Sequence, residues 1–165
     1  MKRVLSSFLI LFLIGCGGNN SNQTSNSDNV DEHKDDDTNQ ETSPNNDKQE
    51  LSFKIDNQEY GVYWSDNKTV DSLKSLVINE LTIEMHRYGD FEQVGDIGYE
   101  VPTSDERITT VPGDIVIYQS NKLVVFFGSN TWEYTKIGHI QLSSIEIEKL
   151  LSDKDVTVTL GVKNI

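Results

Sequence analysis

Alternation of apolar and polar positions begins at Leu51 and sets the plan of the chain from there to its end. "LSFKI", "DNQ" and "EYGVYW" predict strand, turn and strand, with β-branched and aromatic residues on either side of a polar break. In "NKTVDSLKSLVIN" the pattern changes to helical spacing: Val70, Leu73, Leu76 and Val77 share one face behind Asn67 or Thr69 as the cap. "LTIEMHR" returns to period two, with Leu81, Ile83 and Met85 on one side and Thr82, Glu84 and His86 on the other. In that register Arg87 points with the apolar residues.

"EMHRYGDFEQVGD", residues 84–96, reads as a strand end and a turn between two strand-like runs. "VPTSDERITTVPGD" reads as loop, because Pro102 and Pro112 bar a central strand. "DIVIYQ" and "KLVVFF" form a hairpin turning at Ser120 and Asn121. Their apolar runs are nearly continuous, which predicts cover on both faces of this hairpin. A further strand ends at Ile140, "SSIEIEKLLS" is a helix opened by a Ser143/Glu146 capping box, and "DVTVTL" is a last strand. Many strands, two short helices and no βαβ repeat predict a mainly β domain, a closed and mainly antiparallel barrel, over residues 51–165.

The first third of the chain follows other rules. Lys2 and Arg3 precede an apolar run, Val4 to Ile14, too short for the roughly 20 residues that span a bilayer. The run closes on Leu13, Ile14, Gly15 and Cys16, which resembles the signal of a bacterial lipoprotein, and Cys16 is the only cysteine in the sequence. The expectation is removal of residues 1–15 and lipidation of Cys16, so that the protein is held to a membrane of the cell envelope and faces outside the cytoplasm. Residues 16–50 then form an acidic tether: residues 17–50 carry nine Asp or Glu against Lys34 and Lys48, and Val30 is their only aliphatic residue. Such a segment cannot bury enough surface to offset the entropy of ordering, so disorder is expected.

Charge and motifs narrow the chemistry. A formal net charge of −13 disfavours nucleic acid as a partner, since phosphates would be repelled. "DEHKDDD" lacks the glycine and distal glutamate of a calcium loop, and His86 and His139 have no His or Cys neighbour at ligand spacing, so no metal or other cofactor is expected. No phosphate-binding glycine loop, nucleophile elbow or HExxH stands in the sequence.

The segments "SFKIDNQEYGVYWSDNKTVDSLKSLV", "ITTVPGDIVIYQSNKLVVFFGSNTWEYTKIGHI" and "DVTVTL", in that order, resemble the bacterial cyclophilin-like domain family. The resemblance implies a small eight-stranded barrel related to the peptidyl-prolyl isomerases. In true cyclophilins a His-Arg pair at a strand end supplies the catalytic arginine, followed by a phenylalanine, a glutamine and a Gly-Asp; here His86, Arg87, Phe91, Gln93, Gly95 and Asp96 stand in that order. By that resemblance Arg87 is the candidate catalytic residue, and Arg87, Phe91, Gln93, Phe126 and Trp132 are candidate ligand-binding residues.

A guanidinium on the prolyl nitrogen would favour the twisted amide over a barrier of ~18 to 20 kcal/mol. The interval from Arg87 to Asp96 is shorter than in true cyclophilins, however, and "FFGSNTWEYTKIGHI" is compressed. A module that binds a peptide or small ligand without catalysis is therefore the leading expectation. Isomerisation of prolyl bonds in exported proteins is the alternative, and a structural envelope lipoprotein is the third reading.

Overall fold

The computed structural model describes residues 49–165; the signal, Cys16 and the acidic tether up to residue 48 lie outside the described residues. Ten strands, β1 (Gln49–Ile55), β2 (Gln58–Tyr60), β3 (Val62–Trp64), β4 (Leu81–Tyr88), β5 (Glu92–Asp96), β6 (Glu106–Thr109), β7 (Asp114–Tyr118), β8 (Lys122–Phe126), β9 (Thr131–Ile140) and β10 (Val156–Asn164), form one sheet. Their order is β2-β1-β10-β4-β5-β8-β7-β9-β3, with β6 paired to β9 off that path. The first hairpin joins β1 (Gln49–Ile55) to β2 (Gln58–Tyr60). Its two turn residues, Asp56 and Asn57, have φ of 48° and 67°, values that Asp and Asn tolerate better than other side chains. β1 starts two residues before the boundary read from the sequence, because Gln49 and Glu50 continue the ladder opposite Asn164 and Lys163.

β2 does not end the strand. After Gly61 the chain continues as β3 (Val62–Trp64), which leaves β1 and pairs instead with β9 (Thr131–Ile140). One bent strand thus belongs to both edges of the sheet and nearly closes it into a barrel. With β2 and β3 taken as its halves and β6 set aside, eight strands make the circuit, the number implied by the family resemblance. The Trp64 indole Nε1–H donates to the Leu51 carbonyl at 2.9 Å across the seam, and its ring meets Phe53 edge-on at 6.2 Å.

Two helices complete the fold. α1 (Lys68–Leu76) is capped by Asn67, whose side chain accepts from the Val70 N–H, and buries Val70 and Leu73. α2 (Ser144–Leu151) has the capping box expected from Ser143 and Glu146 and buries Ile147 and Leu151. Both helices feed the core inside the barrel, where Phe53, Ile83, Met85, Ile115, Leu123 and Ile137 are at most 2% exposed. β10 (Val156–Asn164) lies between β1 and β4 (Leu81–Tyr88) and runs four residues past the strand read from the sequence.

The remaining strands carry a second, smaller core on the outside of the barrel. β7 (Asp114–Tyr118) and β8 (Lys122–Phe126) form the expected central hairpin, turning through Gln119 and Ser120 at positive φ, one residue earlier than the sequence suggested. Their inward residues join the main core, while Val116, Val124 and Phe126 face outward and pack with Tyr134 of β9. The cover includes β6 (Glu106–Thr109), a strand within the segment read as loop. Ile108 of β6 packs on the outer cluster, and the strand runs antiparallel to Thr131–Tyr134. Pro102 and Pro112 flank β6 without interrupting it, and β6 stays outside the barrel circuit, as a strand bounded by proline must.

Candidate functional site

The outer cluster is incomplete at one end. β4 turns into β5 (Glu92–Asp96) through Gly89 and Asp90, with φ of 61° and 55°. This turn fixes the phase of β5: Glu92 and Val94 face outward opposite Phe126 and Val124, while Gln93 and Gly95 face the barrel interior. Phe91 precedes the strand. Its carbonyl accepts from the N–H groups of Phe127 and Gly128, both at 2.9 Å, and its ring stacks over Phe126 at 6.4 Å with 7° between the planes. Gly128 allows that approach, since a Cβ there would stand 2.7 Å from the Phe91 Cβ.

Between these elements lies a groove of about 370 Å³, lined by Tyr88, Phe91, Glu92, Val94, Tyr118, Val124, Asn130, Trp132 and Tyr134. Tyr134 is its hub. Its ring meets Phe126 edge-on at 5.4 Å and Tyr118 at 5.8 Å, and its hydroxyl accepts from the Asn130 side-chain amide at 2.9 Å. Tyr88 and Trp132 stand at the rim, 68% and 51% exposed. Such a surface offers several ring faces to a ligand with little rearrangement.

The one carboxylate in this lining is Glu92. It is 7% exposed, its Oε2 is sealed from solvent and accepts no hydrogen bond, and no lysine, arginine or histidine lines the groove. Burial without a compensating partner disfavours the charged form and pushes the Glu92 carboxyl up to about 7. Burial, and after it the neighbouring Glu92 carboxylate, also raises the Tyr134 phenol above its ordinary range.

The sequence candidates divide between two faces. Phe91 and Trp132 line the groove and Phe126 supports it from below. Arg87 is not among the lining residues: one of its Nη donates to Asp90 at 3.0 Å, its guanidinium lies 5.9 Å from the centre of the Phe127 ring, and its backbone N–H donates to Asp155. Arg87 pairs with Gln93 in the β4–β5 ladder and so shares the inward register.

Gln93 is fully buried and donates through Nε2 to the carbonyls of Leu151 and Lys154, both at 2.7 Å, which ties the end of α2 to β5. His139 and Lys136 both meet the buried Asp114 carboxylate, so the starts of "DIVIYQ" and the "IGHI" segment are joined at one acidic side chain. Among the described residues no group of His, Cys, Asp and Glu is placed to hold a metal ion, and no helix is long and apolar enough to cross a membrane.

Glu92, Tyr88, Tyr118 and Tyr134 are not among the ligand-binding candidates read from the sequence. A sequence signal for Tyr118 existed: in "DIVIY" it continues the outward register of a hairpin expected to be covered on both faces. Nothing in the sequence marks Glu92, because its facing depends on the length of the preceding turn.

No curated protein matches the chain in sequence. Among solved structures, a hypothetical protein from Archaeoglobus fulgidus, determined in solution, is similar at a TM-score of 0.49 and 16% identity over 67% of this chain and 92% of its own. The model of the cyclophilin-like family matches residues 53–161, a span that holds both helices and every strand of the barrel circuit, β1 and β10 in part. The chain belongs to the cyclophilin-like family.

Proposed function

We propose that this protein is a membrane-anchored lipoprotein, held through Cys16 outside the cytoplasm, whose cyclophilin-like domain binds a peptide or small ligand without isomerising it. The observation that carries the binding reading is the outward groove with five aromatic side chains and one uncompensated carboxylate. A surface built only for packing would have no reason to keep such a carboxylate on an open apolar face. The anchor rests on the sequence around Cys16. The isomerase alternative has less support, since catalysis of amide rotation calls for a donor aimed at the bound proline. Arg87, its candidate, is engaged by Asp90 and Phe127 instead.

Two measurements on the full chain test the proposal. Exchange NMR of a proline tetrapeptide should show no acceleration of cis/trans interconversion at high protein concentration. Acceleration that disappears in Arg87→Ala would establish the isomerase reading in its place. Palmitate label should enter the protein in a bacterial host and be lost in Cys16→Ala, and label retained by that variant would remove the anchor.

A further inference from the structure

We propose that the groove receives an organic ammonium group, with Glu92 as its counter-ion and the rings of Tyr88, Phe91, Tyr118, Trp132 and Tyr134 as its cage. The inference rests on the ligand-binding reading above and names the chemistry of the ligand.

Three classes of occupant fit poorly. An anionic ligand would meet the Glu92 carboxylate in an apolar setting with no protein cation in the lining. A neutral apolar ligand would seal that carboxylate further while leaving Oε2 without a partner. A divalent metal ion needs several oxygen ligands, and Glu92 is the only carboxylate in the lining. An ammonium group meets both features of the site at once. It compensates the carboxylate, and its hydrated charge exchanges water for the negative faces of the rings. The net charge of −13 adds long-range attraction of the same sign.

Proton linkage follows. Because burial holds the Glu92 carboxyl at about 7, an arriving cation stabilises the ionised form and displaces a proton near neutrality. The titratable groups facing Glu92 are the phenols of Tyr88 on β4, Tyr118 on β7 and Tyr134 on β9, and burial holds the last above its ordinary range. Affinity for a permanent cation should therefore rise about tenfold from pH 6 to pH 8 and level off above, as the competent ionised fraction fills.

The test pairs each cationic probe with an uncharged analogue. Choline is compared with 3,3-dimethylbutan-1-ol, and Nα-acetyl-lysine amide with Nα-acetyl-norleucine amide. Binding to the full chain is measured by calorimetry and located by the Trp132 indole resonance. Choline binding at least tenfold tighter than its alcohol assigns a free small cation as the ligand chemistry; the same preference confined to the lysine pair assigns a peptide side chain.

In Glu92→Gln either preference should vanish together with its pH dependence. Trp132→Ala, which removes one ring of the cage at a half-exposed rim position, should weaken the cation more than the neutral probe. Uncharged probes binding as well as charged ones, with Trp132→Ala weakening both, would overturn the ammonium proposal and leave the groove a binding site. Affinity that falls as pH rises would overturn it in favour of a protonated Glu92 acting as donor. Failure of all four probes to bind overturns the ammonium proposal and withdraws the support the groove lends to ligand binding.

Discussion

Glu92 shows how one side chain gains its properties from a turn. Had β5 been displaced by one residue, Gln93 would face the aromatic groove and Glu92 the barrel interior. The same burial has a stability consequence whose sign can be worked out. The folded-state value, about 7, lies above the ordinary 4.5, so the folded chain holds a proton that the unfolded chain releases across that window. Stability should thus fall as pH rises from about 4.5 to about 7 and be flat in this component above. Urea midpoints recorded across that range should decline for the natural chain, and the decline should be smaller in Glu92→Gln. Equal slopes would show that the carboxyl is not buried in this way. Of the residues proposed from the sequence, Phe91, Phe126 and Trp132 lie at the outward groove, whereas Arg87 and Gln93 share the inward register, which the period-two pattern of β4 already gave for Arg87. The facing of Gln93 was not legible, since a match of residue order carries no information about which face of a strand a residue occupies.

At the level of strands and helices, Gln93 links what the chain separates. Its amide supplies partners for Leu151, one of the last carbonyls of α2, and for Lys154 beyond it, groups that no helical N–H reaches. Gln93→Ala should leave both carbonyls unsatisfied beside a small cavity and cost about 2–4 kcal/mol. Chemical denaturation would read that loss, and amide exchange should show the end of α2 opening first. A loss confined to a few tenths of a kcal/mol would mean that water replaces the amide.

Both helices, the first hairpin and the β7–β8 hairpin were legible from periodicity and capping, which are local. β6 was not, because its partner lies some two dozen residues downstream and its own four residues carry only one large apolar side chain, Ile108. The apolar runs of β7 and β8 did announce that something covers them, without saying what.

On the scale of the domain, the barrel closes through the bent strand at Gly61 and the indole bond of Trp64 to Leu51. Trp64→Phe keeps most of the ring and removes that bond, leaving the Leu51 carbonyl unpaired. A loss of about 1–2 kcal/mol is expected, seen as a lower urea midpoint with the slope of the transition unchanged. A reduced slope would indicate that the seam opens in the native state and that closure depends on this contact more than on β3 pairing with β9.

The pairing of β1 with β10 bears on when the domain can exist at all. Gln49 lies opposite Asn164, and β10 fills the space between β1 and β4. Until it arrives, two strands wait with open edges and the barrel has a gap through its wall. Closure of the barrel therefore waits on a pairing between the two ends of the domain, with the slow kinetics of contacts so distant in sequence. A chain in which β10 has not yet paired presents the edges of β1 and β4 as templates for other strands.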